Sequence, residues 1–542
     1  MGRRTVFSEL DKAEKNEEYE GRDFFGIFYF LLALMAINFI AVIYVTKSRN
    51  IYFWDNATYW DIARNMAKGI GEADFWKNIW LSIGSADYNY TAGIVSAYLV
   101  KWFGESRLVY ILGLVNVYLV PCFAMVYFMA KRIGKAPWIT LLITFLTCPL
   151  LLFITLIGFV DIGGVFLGLL CYALWFGGDK KMYLRYTIIG ILLVLMMIWR
   201  RWYAFFAVSF ITAMAADSLI FKRKKLPVLF TCVAAAALLC FVFKDFLFNI
   251  LLRDYGNLYS GYKFSMGTDL KLLTRYTGAL FIAALAAASI AAAVKKQEYR
   301  TVFMWIQMLV CFVMFALTQT HGQQHLLLYM PSVIMLVIIL VKHITNVKMF
   351  AAVCAFAVIS TANLYIPRVQ PGSISEIKHY ALIPDFSMLP QSRSDINDII
   401  SLKRKLDKAV PQNKTLGILA SSFKFNEDVF KNAEPSVGIK SSRSDYIVSL
   451  PQVDSRDTDM TPFYNVNYIL AAFPAQTHLP ESRQTTVTEA VKSFEAYADF
   501  AVAYEEMPEY ETVIDGVTFK LYKRTEMVHD DAMREFEKRL NK

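Results

Sequence analysis

The stretch Phe53–Arg64, "FWDNATYWDIAR", follows the first long apolar run, which ends at Tyr44–Val45. It puts an acidic residue, Asp55, where a chain leaving a membrane meets water. Beyond it, Tyr59, Ile62, Ala63 and Met66 recur at helical spacing, which predicts an amphipathic helix lying at that surface. A carboxylate followed by such a helix, at the mouth of a membrane bundle, marks the place where a polar reaction and a lipid could meet.

The chain has 542 residues, 56% of them hydrophobic and only 19% charged, with a mean hydropathy of +0.39. Soluble domains carry nearer ~25% charged residues. Apolar runs close to the ~20 residues needed to cross a bilayer recur along the chain. They fall at 24–46, 107–131, 137–157, 159–177, 183–200, 203–221, 226–248, 271–294, 301–319, 324–341 and 347–366. A further stretch, 88–103, carries Tyr88, Asn89, Tyr90, Thr91 and Lys101, and reads as an interfacial or partly inserted helix.

Lys and Arg cluster in short loops between these runs: "KRIGK" 131–135, "DKKMYLR" 179–185, "KRKK" 222–225, "KKQEYR" 295–300 and "KHITNVK" 342–348. This is the positive-inside pattern, so the net charge of +10 reflects membrane orientation and not nucleic-acid binding. Residues 1–23 form a charged tail unlike a cleavable signal peptide and are expected in the cytoplasm. Parity then gives eleven spans and an outer C-terminus. The fold class expected is an α-helical polytopic membrane protein of about eleven to thirteen transmembrane helices, with an extracytoplasmic α/β domain.

That domain, 367–542, is about 175 residues long, enough for its own core. "TLGILAS" 415–421, "YIVSL" 446–450, "VNYILAAF" 466–473 and "VTFKLYKR" 517–524 read as strands. "SDINDIISLKRKLDKAV" 394–410 and "TVTEAVKSFEAYA" 486–498 read as helices. All seven cysteines lie in apolar stretches outside it, so disulfides do not hold it.

With this topology the unusual polar residues gather on the outer side. Asp55 opens the first outer loop, 47–87. Asp161 sits in "LIGFVDIGGVFLG" between two spans, and Arg200 and Arg201 sit in "MMIWRRWYAFF" between two others. His321 and His325 lie in "TQTHGQQHLLLYMP", and Arg253 and Lys263 in the loop 249–270. Aromatic neighbours make an interfacial anchor an equal reading of the arginine pair. His325 at a span entrance also reads as a capping group, and Asp61 and Arg64, three residues apart on one helix, as a surface pair. Asp161, with no basic neighbour nearby in sequence, points to function. Arg suits a phosphate because its planar fork grips two oxygens. A sugar on a polyprenyl phosphate already has a good leaving group, so transfer needs a base for the acceptor hydroxyl and positive charge for the departing phosphate. A carboxylate and an arginine pair supply both.

The order of these features resembles the GT-C glycosyltransferases, and above all the family of protein O-mannosyltransferases and bacterial lipid A aminoarabinose transferases. "DNATYWDIARNM" 55–66 is similar to that family's first outer loop, with Asp55, Tyr59 and the helix matched and Asn56 in place of its second acid. "YNYTAGIVSAYLVKWFGESRLVYILGLVNVY" 88–118 keeps Phe103–Gly104 and Arg107 but lacks the family's prolines, with Asp87 a weak stand-in for the polar residue before them. "VDIGGVFLGLLCYALW" 160–175 is similar to the segment of the family's second Asp, matched by Asp161, and "GQQHLLLYMPSVIML" 322–336 to its late helix, with Pro331 kept. The resemblance covers about residues 24–340. It implies a polyprenyl-phosphate-linked sugar as donor, an acceptor that is a glycan, lipid or protein, and Asp55 as catalytic base with Asp161 beside it. Arg200, Arg201, Tyr59, Arg253, Lys263, His321 and His325 are then candidates for substrate binding.

No cofactor is expected. A divalent cation shared by Asp55 and Asp161 stays open, though the nearer relatives suggest none. The sequon at Asn56 abuts the proposed base, where a glycan would block the site; this favours a bacterial source. A transporter or lipid flippase is the alternative. It would need broken helices or a polar path through the whole bundle. A third reading is a non-catalytic surface protein with the bundle as scaffold, which leaves Asp55, Asp161 and the arginine pair unexplained as a set.

Overall fold

The computed structural model describes residues 24–84, 88–177, 181–220, 226–296, 298–344, 346–368, 377–439 and 443–540. The expected tail 1–23, Asp87 and the loop residues 179–180 and 222–225 lie outside the described residues. Among the described residues, six helices are long and apolar enough to cross a membrane: Phe28–Lys47, Arg107–Ile133, Met182–Trp199, Tyr203–Ile220, Arg300–Thr318 and Val347–Leu364. Two bent pairs and the shorter apolar helices Ile162–Trp175, Leu226–Val242 and Met330–His343 account for the remaining stretches that hydropathy marks. The chain is a multi-pass membrane protein.

Two of the expected spans are broken. The stretch 137–157 bends by 59° between Pro137–Thr147 and Pro149–Leu156. Pro149 lacks the N–H that would continue the helix and instead opens a new one. The stretch 271–294 is corrected further. Met266–Thr277 and Ala279–Lys296 meet at 88°, so residues 271–277 belong to a separate amphipathic helix with Lys271 and Arg275. Gly278 makes the corner at φ +82°, a conformation open to glycine at little cost. The orphan N–H groups that open the next helix find carbonyls elsewhere: Ala279 donates to Ala381 (2.9 Å) and Leu280 to Leu382 (3.0 Å). The stretch 226–248 also divides, into Leu226–Val242 and Lys244–Leu251. The partly inserted stretch is the short helix Ile94–Phe103.

The outer domain is built on a mixed sheet that has six strands among the described residues: β1 Leu416–Leu419, β2 Ile447–Val448, β3 Tyr468–Phe473, β4 Tyr504–Glu506, β5 Thr512–Ile514 and β6 Val517–Arg524. The order is β2-β1-β3-β6-β4, with β5 on the other end of β6. β1 runs parallel to β2 and β3, and β6 antiparallel to β3, β4 and β5. Both faces are covered, and the period of two sorts the side chains. Tyr468, Leu470 and Ala472 pack with Phe519 and Leu521 under the helix Ile396–Ala409, while Ile469 and Ala471 pack with Val487 and Phe494 of Thr485–Ala496 on the other face. Strands β4 and β5, at three residues each, carry too little pattern to be read from sequence.

The link between bundle and domain is intimate. Arg49 pairs its backbone with Gln391 and Arg393 (2.9 and 3.1 Å), and Ile51 is buried in the outer domain's own core. Arg107 fixes the turn that makes this possible. Its guanidinium donates to the carbonyls of Val45 (3.0 Å), Ser48 (2.5 Å) and Asn50 (2.7 Å), where the first span leaves carbonyls without helical partners. Replacing it strands buried acceptors, each costing of the order of 1–3 kcal/mol. Arg107→Ala is therefore expected to lower the unfolding midpoint in detergent by several degrees, with Arg107→Lys recovering only part because it lacks the fork. Equal melting of all three proteins would contradict this role.

Candidate functional site

A cavity of about 1350 Å³ opens between the ends of the membrane helices and the outer domain. On its floor, one guanidinium joins two carboxylates. Arg200 donates through one nitrogen to Asp161 (2.5 Å) and through the other to Asp55. The side chains of Arg200 and Asp161 are each 3% exposed, whereas that of Asp55 is 24% exposed. Asp55 thus faces the cavity, and Asp161 is buried behind Arg200.

Local sequence explains why the pair meets. Arg200 interrupts the helical hairpin Met182–Trp199 and Tyr203–Ile220 in an extended conformation. Its flanks clamp the loop that bears Asp161: Trp199 donates its indole N–H to the Val160 carbonyl (2.9 Å), and the Tyr203 hydroxyl donates to the Asp161 carbonyl (2.6 Å). The two glycines after Asp161 let these rings approach. A Cβ on Gly163 would lie 2.4 Å from the Trp199 ring, and one on Gly164 2.1 Å from that of Tyr203.

Asp55 is the second residue of the helix Trp54–Gly69. It also accepts a hydrogen bond from Tyr88 (2.5 Å). Tyr88 is steadied by Asn89, whose amide donates to the Ile198 carbonyl (2.7 Å). Burial pushes the Asp55 carboxyl up, but the Arg200 charge and the Tyr88 hydroxyl outweigh it and hold the group below the usual carboxylate range. Tyr59, one turn along, lays its ring 5.3 Å from the Arg200 guanidinium and edge-on to Tyr88 at 5.6 Å. Asn56, the residue after Asp55, ties the helix start to the bundle. Its side chain accepts from Phe53 N–H (3.2 Å) and donates to the Ile157 carbonyl (3.2 Å).

Arg201 lies on the cavity wall, stacked at 4.9 Å on Trp202 and donating to the Tyr259 hydroxyl. His325 also lines it, with Nδ1 accepting from Gly322 N–H (2.9 Å) and its ring against Trp202 and Phe315. His321 touches the lining, but its imidazole is already engaged. Asp269 holds Nδ1 and Tyr329 holds Nε2, both at 2.5 Å, so neither nitrogen is left for a substrate. Arg253 and Lys263, also candidates for substrate binding, do not line the cavity. Lys263 donates to the Leu317 carbonyl (2.8 Å), as a lysine beside a helix C-terminus does.

Sequence reasoning missed Tyr88 as a partner of Asp55. Its signal was the polar, aromatic "YNYT" in an otherwise apolar stretch. It also missed the whole outer-domain wall. There Asp428 accepts from Trp54 N–H (2.7 Å), and Phe423 and His478 pack on the Trp54 ring with centroids 5.2 and 4.5 Å apart. Asp428 is pushed up to about 6 by burial and by adjacent Glu427.

The fold has solved counterparts. ArnT from Cupriavidus metallidurans in the apo state aligns with a TM-score of 0.54 at 10% identity, over 91% of this chain and 97% of that one. ArnT from the same organism bound to undecaprenyl phosphate aligns with a TM-score of 0.53 at 10% identity, over 93% and 99%. The chain has the GT-C fold. This agrees with the resemblance read from the motifs, and ArnT is a lipid A aminoarabinose transferase. No protein-family model matches the chain, and no curated sequence does.

One wall residue carries a measurable signature. His478 Nδ1 bonds the Ser421 carbonyl (2.8 Å), and burial pushes the imidazole down to about 4. The unfolded chain protonates it near 6.5. Stability from the neutral ring is therefore intact above about 6.5 and lost as pH falls toward about 4, by roughly 3 kcal/mol in full. Melting of wild type should fall more steeply between pH 7 and 4.5 than melting of His478→Gln; parallel curves would exclude this.

Proposed function

We propose that the protein is an integral-membrane glycosyltransferase that moves a sugar from a polyprenyl-phosphate donor to an acceptor hydroxyl. One observation carries this reading: Asp55, Arg200 and Asp161 meet on the floor of a cavity at the ends of apolar helices. The GT-C fold shared with ArnT, seen in one structure with undecaprenyl phosphate, supports it. The cavity lies outside the cell in this proposal. At the opposite ends of the helices, in two of the basic loops that mark the cytoplasmic side, Lys342 pairs with Glu298 (2.9 Å).

In the resting site Arg200 pairs with Asp55 and Asp161 together. A lipid phosphate entering from the bilayer competes for that guanidinium, with Arg201 beside it as a second cation. As Arg200 turns toward the phosphate, Asp55 loses its counter-charge and its proton affinity rises. The acceptor hydroxyl then attacks the anomeric carbon opposite the phosphate. The carbon–oxygen bond to phosphate breaks, polyprenyl phosphate leaves with the electron pair, and Asp55 takes the hydroxyl proton. The anomeric centre is inverted. Asp161 keeps Arg200 from leaving the floor, and Tyr59 holds the guanidinium in plane. The positive charge needed at the leaving group comes from arginine, so this reading requires no metal.

The test compares wild type with Asp55→Asn, purified in detergent and shown by melting to be equally folded. Both are given a panel of polyprenyl-phosphate sugars with cell-envelope extract as the acceptor source, and free polyprenyl phosphate is followed. Loss of the base should slow release on the order of a hundredfold or more. Equal release by both proteins would remove Asp55 from the chemistry. Absence of both donor binding and release in wild type would favour transport or a scaffold instead.

A further inference from the structure

We infer that Asp428 of the outer domain is a positioning residue for Asp55, so that the outer domain completes the catalytic site. This rests on the reading of Asp55 as base.

The helix that carries Asp55 begins without a cap of its own. Phe53 stands at its N-cap position and has no side-chain oxygen, where Ser, Thr, Asp or Asn would normally satisfy the first N–H groups. Two groups stand in for it, one from within the helix and one from the outer domain. Asn56 takes the N–H of Phe53. The Asp428 carboxylate takes the N–H of Trp54 at 2.7 Å, from 374 residues away in the chain. A carboxylate at a helix N-terminus is also favoured by the aligned peptide dipoles.

The backbone there needs holding. Trp54 sits at φ +49°, a region that a bulky residue adopts only when its surroundings impose it. Those surroundings come from the outer domain. Ile51 is in its core, the rings of Phe423 and His478 pack on Trp54, and Asp428 fixes the Trp54 amide. Asp428 is itself placed firmly. It lies in the first turn of the helix Glu427–Ser436, which Asn426 caps through Val429 N–H (3.1 Å) and which Val429 and Phe430 pin into the core.

Asp55 is therefore the junction between two bodies. Ile51, Phe53 and Trp54 pack against the outer domain, while Tyr52 between them is buried in the bundle core. From Asn56 onward, starting with its bond to Ile157, the helix packs chiefly on the bundle, with Arg64 still reaching Asn432 of the outer domain at 3.2 Å. The carboxylate that must meet both Arg200 and the incoming hydroxyl sits at the residue between. Small displacements of such a group lower rates steeply, with about 1 Å worth on the order of a hundredfold.

The experiment uses the full-length protein in lipid nanodiscs and two variants, Asp428→Ala and Asp428→Asn. The asparagine carbonyl still accepts the Trp54 N–H, whereas alanine removes the acceptor. Asp428→Ala is expected to lower kcat on the order of tenfold to a hundredfold with donor KM unchanged. It should also speed amide hydrogen exchange across residues 54–58, while Asp428→Asn keeps most of both rate and protection. Unchanged kcat and protection in Asp428→Ala would overturn the proposal. So would an asparagine variant as slow as alanine with protection intact, because the charge would then act on substrate. Wild type without transferase activity would sink the glycosyltransferase reading by itself. Exchange at 54–58 would still judge whether Asp428 holds the helix.

Discussion

The site is organised around one buried guanidinium shared by two carboxylates. Removing an arginine and an aspartate from water is costly, and the cost is offset only if geometry and hydrogen bonding are good. The protein meets that condition with rigid parts. Trp199 and Tyr203 flank Arg200 and grip the Asp161 loop from both sides, and a glycine pair gives their rings room. One carboxylate, Asp161, balances the arginine permanently. The other, Asp55, is exposed enough to be exchanged for something else. With two acids for one cation, the cluster is short of positive charge only until Arg201 is counted. The four groups together suit a site that must hold a phosphate after its own ion pair opens.

The second constraint is continuity between membrane and water. The segment from Arg49 to Trp54 leaves the first span, enters the core of the outer domain and returns as the helix of Asp55. Arg107 closes the three carbonyls at its start, and Asp428 closes the amide at its end. The outer domain is thus joined to the bundle by more than its covalent link after Leu364. It shapes the cavity wall through Phe423, His478 and Asp428, on the side from which a water-borne acceptor would approach.

Much of the bundle was legible because hydropathy is a strong, long-range signal. A bilayer demands some twenty apolar residues in a row, and among the described residues the six helices long and apolar enough to cross one coincide with such stretches. What a sliding average hides are single-residue events. The break at Cys148–Pro149 redirects a helix between two strongly apolar halves, and the corner at Gly278 joins an amphipathic helix to an apolar one inside a window that averages over both. In the site, Asp161 and Arg200 stood out because charge is expensive in apolar surroundings, and they prove to be partners across 39 residues. Arg253, Lys263 and Asp428 show the reverse. They occur in polar segments where charge carries no information, so two loop cations were singled out that lie off the cavity, and the carboxylate that holds the Asp55 helix was passed over. His321 differs again: sequence gives its type but not its partners, and Asp269 and Tyr329 occupy both ring nitrogens.

The mechanism stands or falls on whether a lipid phosphate displaces Asp55 from Arg200 at the cavity floor. A structure of the protein loaded with undecaprenyl phosphate in nanodiscs decides it. The phosphate should lie within hydrogen-bonding distance of Arg200 or Arg201, with the Asp55–Arg200 pair opened and the prenyl chain running out between the apolar helices. A phosphate bound elsewhere, with Asp55, Arg200 and Asp161 still joined, would contradict it.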